Sequence, residues 1–176
     1  MVKLINKNTP LHEVLKLAAP CTCHACNHGC KFGSGLLVGD DAKNIAAFLK
    51  ISDDELKKRY LEEVELYNKK LHRPRLLKKM DKPFGKCIFH DERKGCTIHA
   101  VKPLECRTSI NCRDYGEALS VWFKVNFAVD VQDPESLRQY AQYLRSGGKL
   151  IPGASLQELV PNKEKLRKIL SYEILK

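Results

Sequence analysis

Eight cysteines are the residues of this chain with the most chemistry to offer, and they fall in two windows. Cys21, Cys23, Cys26 and Cys30 make the first, and Cys87, Cys96, Cys106 and Cys112 make the second. No cysteine lies between Cys30 and Cys87. Thiolate sulfur is a soft ligand, and four thiolates close a tetrahedron around zinc or anchor an iron–sulfur cluster. Cys23-x-x-Cys26 is the short knuckle in which one turn of chain presents two thiolates to one metal. Cys21 and Cys30 flank it at distances a folded loop can close. His24 and His28 lie in the same window, either as substitutes for a thiolate or simply as exposed loop residues.

The second window contains no Cys-x-x-Cys pair, and a zinc ribbon is built from two such pairs. Distributed single cysteines suit an iron–sulfur cluster, or a centre that draws ligands from both windows. All eight are therefore read as metal ligands gathered toward a common centre rather than as two independent zinc fingers. An iron–sulfur cluster, as [4Fe–4S], is preferred over zinc as the occupant. The bland alternative makes several of the second four small buried hydrophobes, since free cysteine packs that way readily. Lys31, Lys86, Arg107 and Arg113 each adjoin a cysteine, and cations beside four thiolates offset their negative charge. Lysine and arginine total 31 in the chain, however, so adjacency alone is a weak signal.

Bulk properties set the frame for this chemistry. At 176 residues, 43% hydrophobic and 30% charged, the chain can bury a real core and needs no disulfides merely to stay folded. The N-terminal residues show no basic start followed by a long apolar run, and no stretch approaches eighteen apolar residues. Neither a signal peptide nor a membrane helix is expected. A cytoplasmic location follows, where thiols stay reduced and clustered cysteines are metal ligands or redox groups. The formal net charge of +10 permits an acidic partner, including nucleic acid, without demanding one.

Several elements must position the cysteines. Thr9-Pro10 opens a short helix carrying Leu11, Val14, Leu15 and Leu17, and Pro20 ends it. The first cysteine window reads as a loop shaped by what it binds, followed by a tight turn at Gly33-Ser34-Gly35. Asp40 or Asp41 caps a helix through Leu49. The capping box Ser52–Glu55 starts another, with Leu56, Tyr60, Leu61, Val64 and Tyr67 on one face, expected to run to about Leu71. Residues 69–82 form a basic linker with Lys69, Lys70, Arg73, Arg75, Lys78, Lys79 and Lys82 against Asp81. Cys87–His90 and Cys96–His99 are short apolar segments in a hairpin-like arrangement, and Pro103 opens one helical turn to Cys106. Residues 121–131 alternate apolar and polar, which reads as a strand, although Leu119, Trp122, Phe123, Asn126 and Phe127 also fit a helix face. Asp133-Pro134 starts a helix through Leu144, the capping box Ser155–Glu158 another, and 163–175 a last amphipathic one.

The expected fold is a small, mostly helical α+β domain centred on metal, with a short hairpin, one longer strand and about five helices. Residues 1–176 form a single domain in this reading. Its cysteine-cluster region spans 20–113 with a helical insert at 40–82, and a strand and helix part follows at 117–176.

At these residues the chain resembles the CxxCxxCC cysteine-cluster family, also called YkgJ-like, whose members are described as zinc- or iron-chelating. The resemblance rests on Cys23-x-x-Cys26 with Cys30, then on Cys87-Ile-Phe, Cys96-Thr-Ile-His, Lys102-Pro103-x-x-Cys106-Arg107 and Cys112. Residues 40–61 resemble the family's helical segment after the first cluster. The chain departs from the family's pattern in having Gly29-Cys30 for a double cysteine, Ile88 for a proline, His99 for a tyrosine and Lys102 for an arginine. Cys112 falls one residue later than the pattern. Cys21 is an additional cysteine, and it keeps the total at eight.

The resemblance implies metal or cluster binding. One branch of the family is similar to flagellin lysine N-methylases, but this chain has no Gly-rich strand–loop–helix to mark a methyltransferase nucleotide site, so that activity is not carried over. Three functions compete. The first is a cytoplasmic protein whose eight cysteines bind an iron–sulfur cluster or zinc. The second is a metal-dependent enzyme, methyltransferase-associated or redox, with His90-Asp91, His99 and Glu105 as acid–base candidates. The third is a nucleic-acid-binding zinc module that sets the basic stretch 69–82 on phosphates, although no aromatics interleave with it.

Overall fold

A computed structural model describes residues 4–78 and 82–176. Among them are nine α-helices and six short strands, paired two by two in antiparallel fashion. The fold is thus α+β and mostly helical, with more helices than expected. Lys79 and Asp81 of the basic stretch lie outside the described residues.

Helix α1 (Leu11–Leu17) begins after Pro10, whose extended ψ and missing N–H suit the position before the first turn. Thr9 does not cap α1. Its hydroxyl accepts from the Asn6 N–H at 3.0 Å, and its carbonyl accepts from the Trp122 indole at 3.0 Å. Helix α2 (His24–Gly29) occupies the first cysteine window, where the sequence suggested a loop. Helix α3 (Asp41–Leu49) ends on Lys50 in the left-handed conformation. Helix α4 (Asp53–Tyr60) begins as expected at Ser52, whose hydroxyl accepts from the Glu55 N–H at 3.1 Å.

Helix α4 stops at Tyr60 rather than Leu71, and the second half of the expected helical insert is a hairpin. Strands β1 (Leu61–Leu66) and β2 (Lys69–Pro74) pair from Leu61 with Pro74 to Leu66 with Lys69. The two-residue turn places Tyr67 at φ 50° and Asn68 at φ 60°, the pattern of a primed hairpin turn. An aromatic residue enters that region only when packing holds it there. Tyr67 is buried against the Tyr140 ring, and the Asn68 amide donates to Asp133 at 2.7 Å. The apolar stripe at Leu61, Val64 and Tyr67 fits a helix locally, but tertiary packing overrides it. The basic stretch is therefore largely strand, since β3 (Leu76–Lys78) follows and pairs with β4 (Gly85–Cys87).

The expected cysteine hairpin is present in minimal form. Strand β5 (His90–Asp91) pairs with β6 (Gly95–Cys96), and the Thr97 N–H donates to the Phe89 carbonyl at 2.8 Å. A 3₁₀ turn (His99–Val101) and helix α5 (Leu104–Thr108) complete the second window.

The expected strand at 121–131 is helical. Helix α6 (Gly116–Phe123) runs into a π-helical turn (Lys124–Ala128), closed by the Val129 N–H on the Lys124 carbonyl at 2.9 Å. Leu119, Val121, Trp122, Phe123, Val125 and Ala128 are all buried, so this segment is apolar almost all round. An all-round apolar helix contains a period-two run by chance, and the alternation carries no strand information here. Helix α7 (Pro134–Arg145) starts at Asp133, and α8 (Leu156–Leu159) has the full Ser155–Glu158 capping box. Helix α9 (Lys163–Leu170) ends before 175, where Tyr172 turns left-handed and Arg138 donates to the Ile169 and Ile174 carbonyls.

Two apolar clusters hold the cysteine windows. Val14, Trp122, Phe123, Tyr140 and Cys26 belong to the larger, with Cys21 and Cys23 packed against it. Ile45, Leu56, Phe89, Ile98 and Cys87 form the second, with Cys30 and Cys96 against it. Among the described residues no helix is long and apolar enough to cross a membrane.

Candidate metal centre

The structure regroups the cysteines. Cys21, Cys23, Cys26 and Cys112 place their sulfur atoms all within 4.8 Å of one another. The last comes from the other window, and the sulfur of Cys112 lies 3.5 Å from that of Cys26 and 3.7 Å from that of Cys21. These separations are well beyond a disulfide bond of about 2.05 Å. They match the edge of a sulfur tetrahedron, about 3.8 Å when each metal–sulfur bond is about 2.3 Å. His24 and His28 are exposed on α2, where their rings stack 5.9 Å apart, and the four-sulfur set is complete without them.

Local structure aims these sulfurs. The Asn27 side chain donates to the Thr22 carbonyl at 2.8 Å, and its N–H to the Cys23 carbonyl at 3.0 Å, which pins the loop onto the start of α2. The Cys26 N–H favours the ionised form of the Cys23 sulfur, and the Asn111 N–H that of the Cys26 sulfur. Gly116 anchors the loop that carries Asn111 and Cys112. An added Cβ there would lie 1.8 Å from the Ile110 carbonyl oxygen.

The proton affinities follow from this packing. The Cys26 N–H, seconded by the Cys21 thiol, brings Cys23 down to about 7. Cys26 is pushed up, chiefly by burial. Cys112 is pushed up to about 12 by its contacts with the Cys26, Cys21 and Cys23 sulfurs. Cys23 is thus readier to ionise than Cys26 or Cys112, which burial and contacts with neighbouring sulfurs hold protonated. A bound cation offsets the repulsion between thiolates, and its arrival releases the protons.

Cys30, Cys87, Cys96 and Cys106 fall outside this four-sulfur group, although Cys26 shares a cavity with Cys30 and Cys106. The Cys87 N–H donates to the Cys30 carbonyl at 2.8 Å, and Cys30, Cys87, Cys96 and Cys106 are close enough to affect one another's charge. Burial raises the thiol pKa of all four, with Cys87 at about 12.

The acid–base candidates do not assemble. His90 is buried, with Nδ1 lacking a hydrogen-bond partner among the described residues, while Asp91 is exposed and accepts from the Arg93 and Lys94 N–H groups, both at 2.8 Å. Glu105 accepts from the Leu36 N–H, and burial raises its pKa. His99 Nε2 is buried without a hydrogen-bond partner among the described residues. Sequence reasoning missed Lys102, Gly35, Asn27 and Asn111 as residues that shape the cysteine sites. Gly35 was visible only as part of a turn, and Lys102 only as a departure from a family pattern.

A family model for a putative zinc- or iron-chelating domain, CxxCxxCC, matches residues 22–125. The chain belongs to this family. The match covers Cys23, Cys26 and Cys112 of the four-sulfur site and begins one residue after Cys21. No curated protein and no solved structure matches the chain.

Proposed function

We propose that Cys21, Cys23, Cys26 and Cys112 bind one zinc ion as four thiolates, and that this ion ties the two cysteine windows together. The observation that carries this reading is the set of four sulfur atoms within 4.8 Å of one another. One tetrahedral ion spans that distance, whereas a cluster of several irons holds its thiolates farther apart. Four protein ligands close the coordination shell and leave no position for water, which is the pattern of structural rather than catalytic zinc. Family membership supports chelation of zinc or iron. The ion's charge would neutralise thiolates that otherwise repel, and its binding energy would become folding energy for the 21–30 and 109–115 segments.

Eight free cysteines fit a reducing compartment, which supports a cytoplasmic location. The nucleic-acid reading loses support from the basic stretch, much of which is engaged within the fold. Lys69 donates to the Phe127 carbonyl at 2.8 Å, Lys70 pairs with Glu63 and Arg73 with Glu62. Arg75 donates to the Lys58 and Leu61 carbonyls.

Elemental analysis of the full chain purified without oxygen tests the proposal. It predicts about one zinc per chain that is lost in both C23S and C112S. Zinc retained by both variants would refute it.

A further inference from the structure

We infer that Phe32 and Phe84, flanked by Lys31, Lys78, Lys82 and Lys86, form a docking face for a single-stranded nucleic acid. Its bases stack on the rings and its phosphates meet the lysines. The inference goes beyond the zinc reading and does not depend on it.

Exposed rings are the first observation. Phe32 is 49% exposed and Phe84 is 44% exposed, with their centroids 6.1 Å apart. Leu77, 48% exposed, lines the same groove. One exposed apolar residue needs no explanation, but three around one groove mark an interaction site. The row of rings continues along α2, where the His28 ring lies 5.0 Å from Phe32 and stacks on His24. Phenylalanine and histidine rings are platforms for unpaired bases, since every base offers a flat π face.

The backbone holds these rings in place. The Cys87 N–H donates to the Cys30 carbonyl at 2.8 Å and the Gly85 N–H to the Phe32 carbonyl at 3.3 Å. The exit of the first cysteine window is thereby set against β4, with Phe32 alongside Phe84. Gly85 lets β3 and β4 approach closely, since an added Cβ would lie 2.7 Å from the Leu77 carbonyl oxygen.

Charge complementarity selects the partner. The groove has a volume of about 460 Å³, and Lys31, Lys78, Lys82 and Lys86 line it. Glu92 is the one acidic residue among the described residues that line it. Its exposed carboxylate is shared between Lys31 at 3.5 Å and Lys86 at 3.4 Å. Exposed pairs of this kind are weak, and phosphate competes with the carboxylate for the lysines. The Lys82 ammonium lies 5.6 Å from the Phe84 ring centroid, so a ring and a cation fall within reach of one nucleotide. The basic stretch is thus divided in its roles. Lys69, Lys70, Arg73 and Arg75 are engaged within the fold, whereas Lys78 and Lys82 face the groove. The aromatics that the stretch lacks in sequence are supplied by the fold. A concave groove of this size admits a base, whereas a membrane surface is met by a protruding apolar face.

The test is fluorescence anisotropy of labelled single strands of rU or dT, about 20 nucleotides long, titrated with the full chain. Binding of either strand supports the inference, and the tighter of the two names the sugar. F32A/F84A should weaken binding about tenfold or more, with metal content and thermal midpoint unchanged. K78Q/K82Q should lessen the log–log slope of affinity against salt by about 1.4. K163Q/K165Q removes two exposed lysines of α9 and should leave affinity and slope unchanged. A duplex of the same length should bind more weakly, because its bases are already stacked. No binding of either strand at low salt would overturn the inference, and so would full affinity in F32A/F84A. Equal losses in K78Q/K82Q and K163Q/K165Q would trace binding to net charge alone and overturn it too. So would a duplex preferred over both strands, or binding to phosphatidylserine vesicles but to neither strand. Should F32A/F84A fail to fold, the contrast between the two lysine variants decides the matter.

Discussion

The sulfur atoms of Cys26 and Cys112 lie 3.5 Å apart although 86 positions separate the residues in sequence. One comes from α2 and the other from the loop between α5 and α6, so each cysteine window lends a ligand across the fold. Bringing together residues so far apart in sequence costs chain entropy, and a shared ion is a direct way to hold them. Chelator should therefore lower the thermal midpoint of the wild type and leave that of C112S nearly unchanged. An equal drop in both proteins would point to metal held elsewhere.

Gly116 is the tightest backbone contact beside the site. Its missing Cβ would sit 1.8 Å from a carbonyl oxygen of the main chain, which cannot rotate away like a side chain. G116A should cost about 3 kcal/mol or more through overpacking, as read by urea denaturation. A loss below about 1 kcal/mol would show that the 110–116 loop shifts freely.

Asp41 links pH to stability. One of its carboxylate oxygens accepts from the Val38 N–H at 3.0 Å and the Leu104 N–H at 3.3 Å. Burial nevertheless dominates and raises its pKa above the ordinary 3.8. The folded protein thus holds this proton more tightly than the unfolded chain does. Its stabilising contribution is full below the unfolded-state value and is lost as pH rises through the folded-state one. D41N keeps an acceptor oxygen and does not ionise. Its thermal midpoint should gain on the wild type as pH is raised from below 4 toward 6. A difference that stays flat, or moves the other way, would contradict this assignment.

Ser155 offers a purely local check. Its hydroxyl and the Glu158 side chain satisfy each other's backbone N–H groups at the start of α8. S155A should cost about 1 kcal/mol, with metal content unchanged. Lost metal would reveal coupling between the C-terminal helices and the cysteine sites.

Features set by a few adjacent residues were legible in the sequence. The Ser52 and Ser155 caps and the start of α7 at Asp133 depend on side chains within three positions of the helix start. The cysteine count and the single Cys-x-x-Cys pair likewise pointed to metal. The partition of the eight was not legible. It depends on how the chain crosses between windows, which sends Cys30 toward Cys87 and brings Cys112 to Cys26. The segment at 61–74 misled because three apolar positions fit both a helix face and a hairpin that packs on Tyr140. The segment at 121–131 misled because burial on all sides erases the difference between period two and period 3.6.

X-ray absorption at the zinc edge tests the central claim most directly. Cys21, Cys23, Cys26 and Cys112 predict a shell of about four sulfur atoms at about 2.3 Å, with no lighter scatterer. A mixed sulfur and nitrogen or oxygen shell, or a protein without bound zinc, would contradict it.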